Sequence, residues 1–163
     1  VLSLELVARG ADVVGIDLSA QMISIARQRA ADIKASGLAG GHVEFFSGDM
    51  LDTGLGSFDA VVAMDVLIHY SQADAIRVLE HFAERPRQRM MFTLAPSSGL
   101  LNAMLLVGKA FPRSDRAPAI YPTQSDRLLR HLLDKPDMAG WTTGRSHRVS
   151  VGFYKSQAVE VSR

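Results

Sequence analysis

The chain has 163 residues, 47% of them hydrophobic, which suits one buried core and a single domain. It contains no cysteine, so disulfides, cysteine-based zinc sites and thiol nucleophiles are excluded, and a reducing, cytoplasmic setting fits. Net charge is +1, yet residues 1–84 carry 5 Lys/Arg against 12 Asp/Glu while residues 85–163 carry 13 against 5, so the two halves stand near −7 and +8. That polarity fits a second half facing an anionic ligand, and equally a solvated basic surface or a nucleic-acid footprint. A nucleic-acid role is disfavoured because basic and aromatic residues do not interleave. Neither an apolar run of about 18 residues nor a basic segment leading into an apolar stretch occurs, so no membrane span and no intact signal peptide are read here.

Leu2, Leu4, Leu6 and Val7, followed by Arg9-Gly10, predict the tail of an amphipathic helix closed by a glycine. The chain opens Val1-Leu2-Ser3 inside that helix, which is read as a truncated N-terminus. Ala11 to Asp17 is apolar and β-branched without alternation, the pattern of a strand buried on both faces of a parallel sheet. Ser19 is an N-cap for a helix through Gln21, Met22, Ile25, Ala26 and Ala30, ending near Ser36-Gly37. Val43 to Phe46 and Phe58 to Met64 are the next strands, with Gly48-Asp49-Met50 a loop between them. Gln72 to Glu84 makes a helix with Ala75, Val78, Leu79 and Phe82 on one face, and Arg89 to Leu94 another strand. Strand and helix alternating at this pitch imply a doubly wound α/β sheet. After Pro96 the rhythm changes: Gly99 to Phe111 is an apolar helix and Pro112 to Pro122 a loop longer than the repeat requires. Leu128, Leu129, Leu132 and Leu133 mark a last helix, and strand-like runs at Thr142 to Val151 and Ser156 to Val161 close the chain.

Ligands of such sheets lie beyond the carboxyl ends of the strands, so polar residues there carry the functional reading. Asp17 ends a strand where a carboxylate can accept both ribose hydroxyls of a nucleotide; dinucleotide dehydrogenases use an acid in the same place, and an acid at a helix start also complements the helix dipole. Gly48-Asp49-Met50 follows the next strand, where the aspartate can take an adenine amino group, although Gly-Asp is also an ordinary turn. Together the two acids favour adenosine. Asp65 to Tyr70 follows the central strand, where a group donor and its acceptor would meet, and His69 is the best-placed titratable residue. His81 is expected at the surface of its helix, and His42, His131 and His147 carry no assignment.

The succession of Asp17, Gly48-Asp49, Phe58-Asp59 and a terminal helix and hairpin resembles the class I S-adenosylmethionine-dependent methyltransferases. The second half narrows the resemblance. Leu67-Ile68-His69-Tyr70, then Phe111 to Ile120, then Gly144-Arg145 and Arg148 to Ala158 are similar to the magnesium-protoporphyrin IX methyltransferases. The resemblance implies a Rossmann-like, mostly parallel sheet with a C-terminal antiparallel hairpin, one domain over 1–163, and a substrate-covering insertion at 97–122. The family's first strand and glycine-rich donor loop would lie before Val1, and the edges left without that strand would make the fragment inactive alone.

The resemblance further implies esterification of a porphyrin propionate in (bacterio)chlorophyll synthesis, with S-adenosylmethionine as methyl donor and magnesium present only inside the substrate. Asp17, Leu18, Met22, Gly48, Asp49, Met50 and Asp65 would hold the donor. His69 and Tyr70 would be catalytic, and Arg113, Arg116, Arg145, Arg148 and Tyr154 would bind substrate; for the arginines, a solvated basic face is the competing reading. Leu100, Leu101, Met104, Leu105 and Leu106 would cover the macrocycle or simply pack a core. Implied partners are magnesium-protoporphyrin IX and the large porphyrin-binding subunit of magnesium chelatase, with peripheral association at photosynthetic membranes. A methyltransferase of another apolar acceptor, such as a quinone precursor, and a non-catalytic nucleotide-binding module are the alternatives.

Overall fold

A left-handed glycine closes the first helix. In the computed structural model α1 (Leu2–Ala8) ends where Gly10 takes φ +87°; the Gly10 N–H donates to the Val7 carbonyl (2.8 Å) and the Ala11 N–H to that of Leu6 (3.1 Å), a paired closure that satisfies the helix's last carbonyls. The structure describes residues 2–35, 40–97, 120–152 and 154–163. They form two compact units, Val1–Leu55 and Gly56–Arg163.

In the first unit β1 (Val13–Asp17) and β2 (Val43–Ser47) pair in parallel, in register from Val13 opposite Val43 to Asp17 opposite Ser47. The crossover between them is α2 (Ala20–Ala35), started by Ser19, whose Oγ accepts the Met22 N–H at 3.3 Å. The predicted end of this helix at Ser36-Gly37 lies outside the described residues. Gly15 lets the Phe45 ring lie against the backbone of β1, since a Cβ there would stand 2.6 Å from Cδ1 of the ring. Burial departs from expectation: β1 is not covered on both faces, and Val14 is 41% exposed. Among the described residues β1 has a strand neighbour on one edge alone, so part of its side-chain set stays in solvent.

The second unit runs β3 (Phe58–Ala63), a 3₁₀ turn (Leu67–His69), α3 (Gln72–Ala83), β4 (Pro86–Leu94), α4 (Ser125–Leu133), β5 (Thr142–Val151) and β6 (Tyr154–Ser162). Its four strands lie in the order β3-β4-β6-β5, with β3 parallel to β4 and the other pairs antiparallel. Strand β4 starts earlier than the Arg89 expected from sequence. Pro86, lacking an N–H, is tolerated as the first residue of a strand, and Pro86-Arg87-Gln88 has no apolar pattern to announce it. Ser71 caps α3: its Oγ accepts the Asp74 N–H (3.2 Å) and donates its proton to the Asp74 carboxylate (2.6 Å).

Met90 and Phe92 of β4 face Val161 and Val159 of β6, all four at or below 1% exposure, and one sheet face is thereby apolar. Ala75, Leu79 and Phe82 of α3 and Leu128 and Leu132 of α4 are buried with them. By contrast β5 is the sheet edge, and every one of its residues is exposed. The 97–122 insertion lies outside the described residues except for Ser97 and residues 120–122. Its two ends are pinned side by side: the Thr123 N–H donates to the Ala95 carbonyl (2.8 Å) and the Ser97 N–H to that of Thr123 (3.2 Å). The helix read at 99–111 and its Leu and Met stripe also lie outside.

Candidate functional site

In the first unit the parallel register sets the ends of β1 and β2 side by side, and it does so through the backbone. The Gly48 N–H donates to the Asp17 carbonyl at 3.1 Å, and Ser47 Oγ donates to the Leu18 carbonyl at 3.4 Å. Asp17 and Gly48-Asp49, 32 residues apart in sequence, are thus brought together. Each aspartate folds its own loop. One Asp17 carboxylate oxygen accepts the Ser19 N–H (2.7 Å), and one Asp49 oxygen accepts the Leu51 N–H (2.9 Å). A carboxylate offers roughly four acceptor positions, so each keeps most of its capacity, and both side chains are exposed. Beside Asp17, Leu18 is 78% and Met22 50% exposed, an apolar surface where an adenine ring can stack; Met50 is half-buried.

In the second unit the chain leaves β3 through Asp65, a non-glycine residue at φ +55° among the described residues. That conformation costs about 1–2 kcal/mol and is tolerated best by Asp and Asn. Three contacts hold it. The Asp65 N–H donates to Thr93 Oγ1 (2.7 Å), the Thr93 hydroxyl donates back to the Asp65 carboxylate (3.2 Å), and the Tyr154 hydroxyl donates to the same carboxylate (3.3 and 3.4 Å). Immediately beyond, Leu67 is buried at 1% exposure and anchors the 3₁₀ turn. The His69 and Tyr70 N–H groups close that turn on Val66 and Leu67, while the Ile68 carbonyl accepts the Tyr121 N–H at 2.8 Å. His69 is exposed and Tyr70 half-buried. Asp65, His69, Tyr70 and Tyr154 therefore belong to one locality, defined by the ends of β3 and β4 and the start of β6.

The predicted arginines separate. Arg145 is engaged, its guanidinium donating to Glu160 at 2.9 Å, with Arg89 3.5 Å from the same carboxylate. The Arg145 hydrogen bond and charge hold the Glu160 carboxyl below its usual range and hold the proton on Arg145 more firmly. Arg148 stands exposed on β5. Arg113 and Arg116 lie outside the described residues. Of the histidines, His81 is half-buried rather than on the surface, 2.9 Å from the buried Arg85 guanidinium, because the α3 stripe wraps further round than its strictly apolar residues suggest. His42 pairs with Glu44 at 3.3 Å and His131 with Gln72 at 3.3 Å. Among the described residues no group of three or more His, Asp or Glu is placed to hold a metal, and no helix is long and apolar enough to cross a membrane.

Two residues escaped the sequence reading. Thr93 and Glu160 both sit in apolar strand runs, and a buried hydroxyl or carboxylate in such a run needs a partner, which was the available signal.

Comparison with known proteins assigns the class first. The family model of a methyltransferase domain matches residues 1–88, and a SAM-dependent methyltransferase from Methanosarcina mazei superposes with TM-score 0.72 at 17% identity, covering 99% of this chain and 86% of that one, a likeness of fold. The fold is that of the class I methyltransferases. The family model "Magnesium-protoporphyrin IX methyltransferase C-terminus" matches residues 63–163, and the chain belongs to that family. A magnesium-protoporphyrin O-methyltransferase of Rhodobacter capsulatus is 42% identical over 97% of this chain and 65% of its own length. The crystal structure of magnesium protoporphyrin IX methyltransferase from Synechocystis PCC 6803 with bound SAH has TM-score 0.81 at 30% identity, covering 99% of this chain and 68% of that one. The chain thus spans about two thirds of the length of these relatives.

Proposed function

We propose that the protein transfers a methyl group from S-adenosylmethionine to a propionate carboxylate of magnesium-protoporphyrin IX, giving the monomethyl ester of (bacterio)chlorophyll synthesis. The observation that carries this reading is the family match over residues 63–163, which contains the whole Asp65–Tyr70 turn, Thr93 and Tyr154. Both units are read as parts of one methyltransferase domain, since the methyltransferase-domain match runs through residues 1–88 and crosses from one into the other.

S-adenosylmethionine would supply a methyl group already activated on a sulfonium. The residues of the first unit would hold it, Asp17 through the ribose hydroxyls, Leu18 and Met22 beside the adenine, and Gly48, Asp49 and Met50 at its polar edge; Asp65 is assigned to the donor on the family likeness alone. A propionic acid titrates near 4 to 5, roughly like Glu, so the acceptor is ionised at neutral pH and no general base is required. The task of His69 and Tyr70 is then to hold and orient the carboxylate, work that can contribute several kcal/mol. Arg148 is available to the substrate, whereas Arg145 would first have to release Glu160 and the Tyr154 hydroxyl Asp65; Arg113 and Arg116 are assigned to the propionates on the family likeness alone. The magnesium belongs to the substrate. Docking to the large subunit of magnesium chelatase and to photosynthetic membranes fits an apolar pigment acceptor.

The test is chromatography of pigment after full-length protein has been incubated with methyl-labelled S-adenosylmethionine and magnesium-protoporphyrin IX. Label in the monomethyl ester is the expected result. Label that enters a quinone precursor and not the porphyrin would replace the acceptor, and donor binding without any transfer would reduce the protein to a nucleotide-binding module.

A further inference from the structure

Asp65 is held by two side chains that come from distant strands, and one of them makes two bonds with a single hydroxyl. Thr93 Oγ1 accepts the Asp65 N–H at 2.7 Å and donates to the Asp65 carboxylate at 3.2 Å. This closes a small ring around residue 65, fixing its backbone and its side chain together. The residue so fixed is at φ +55°, a conformation that an unassisted aspartate seldom keeps. Thr93 itself cannot drift, being 8% exposed, in β4 and paired across to Ala158 of β6. From the other side Tyr154, at the first position of β6, donates to both Asp65 oxygens at 3.3 and 3.4 Å. Asp65 is the point where the chain turns out of the sheet, and four residues later it delivers His69.

We propose that Thr93 is a positioning residue of the acceptor end: its hydroxyl, assisted by that of Tyr154, locks Asp65 in the left-handed conformation and thereby aims the His69-Tyr70 turn. This rests on the methyltransferase reading given above. The lock acts on turnover through geometry, without contact between Thr93 and either reactant. Its hydroxyl is the essential feature, so a residue of the same shape lacking oxygen fails where a smaller residue keeping it succeeds.

The experiment uses the full-length protein with Thr93→Val, Thr93→Ser and Tyr154→Phe. Two quantities are read: hydrogen exchange of the Asp65 amide, and kcat against KM for methyl transfer to magnesium-protoporphyrin IX. Thr93→Val should speed exchange of that amide and lower kcat roughly 10-fold. Thr93→Ser should return both readings to within about twofold, which a packing role would not allow. Tyr154→Phe, at a residue 53% exposed, should lower kcat by about threefold. Equal losses in the valine and serine variants, or an unaltered kcat in a folded Thr93→Val and in Tyr154→Phe, would overturn the proposal. If wild-type protein transferred nothing to the porphyrin, the acceptor assignment would fall. Amide exchange would still judge the lock: Thr93→Val exchanging no faster than wild type would overturn it too.

Discussion

The two units of the chain bury themselves very differently. Unit Val1–Leu55 has a two-stranded sheet, and among its described residues Ile23 and Phe45 are the apolar side chains below 10% exposure. Unit Gly56–Arg163 has a four-stranded sheet whose face carries Met90, Phe92, Val159 and Val161 against two helices. The functional candidates follow the same division. In the first unit Asp17 and Asp49 are fixed by short loops and backbone hydrogen bonds, with most of their acceptor capacity exposed. In the second, Asp65 is fixed by side chains rooted in a packed sheet. A thin unit with exposed acceptors suits ligand binding that adds order, and a well-packed one suits geometry that must hold at a reacting centre.

The largest effect that would sharpen this contrast is on stability. Leu132, fully buried in α4, should cost about 2–5 kcal/mol when cut to alanine, whereas Ile23→Ala should cost clearly less, because the neighbours of Ile23 are largely half-exposed and can close around it. Thermal or denaturant unfolding reads both; an equal or larger loss at Ile23 would break the comparison. A smaller effect sits at the cap of α3. Ser71→Ala should lower stability by about 1 kcal/mol at neutral pH. The Ser71 hydroxyl, then Arg77, holds the Asp74 carboxyl below its ordinary range. A carboxyl depressed in the folded state stabilises above its unfolded pKa, near 4, and loses that contribution as pH falls through the lower folded value. The gap between wild type and Ser71→Ala should therefore narrow below pH about 4, and Glu160, depressed by Arg145, loses its share in the same window. A gap that widens in acid would reverse the sign of this account.

The order of strands and helices was legible in the sequence because each element has a local signature: Ser19 as a cap, Gly10 as closure, the α3 stripe, the leucines of α4. What escaped was non-local. That β1 keeps Val14 partly in solvent depends on which strands flank it, and no apolar run records that. Asp65 was legible by its place after a strand, but its left-handed turn and its hold on Thr93 and Tyr154, 28 and 89 residues away, come from sheet register. Arg145 illustrates the reverse case: basic and near the end of the chain, it reads as an anion binder, while Glu160 opposite it sits in a run of valines that gives no warning of an ion pair.

The proposed roles, donor binding at Asp17 and acceptor orientation at His69, are tested most directly by two variants of the full-length protein, measured for donor affinity and for kcat side by side. Asp17→Ala should weaken S-adenosylmethionine binding by about 1–3 kcal/mol, the loss of hydrogen bonds to a charged acceptor. His69→Ala should leave that affinity unchanged and lower kcat toward magnesium-protoporphyrin IX by roughly 100-fold or more. A well-folded His69→Ala protein with near-normal kcat, or an Asp17→Ala protein with unaltered donor affinity, would contradict the account.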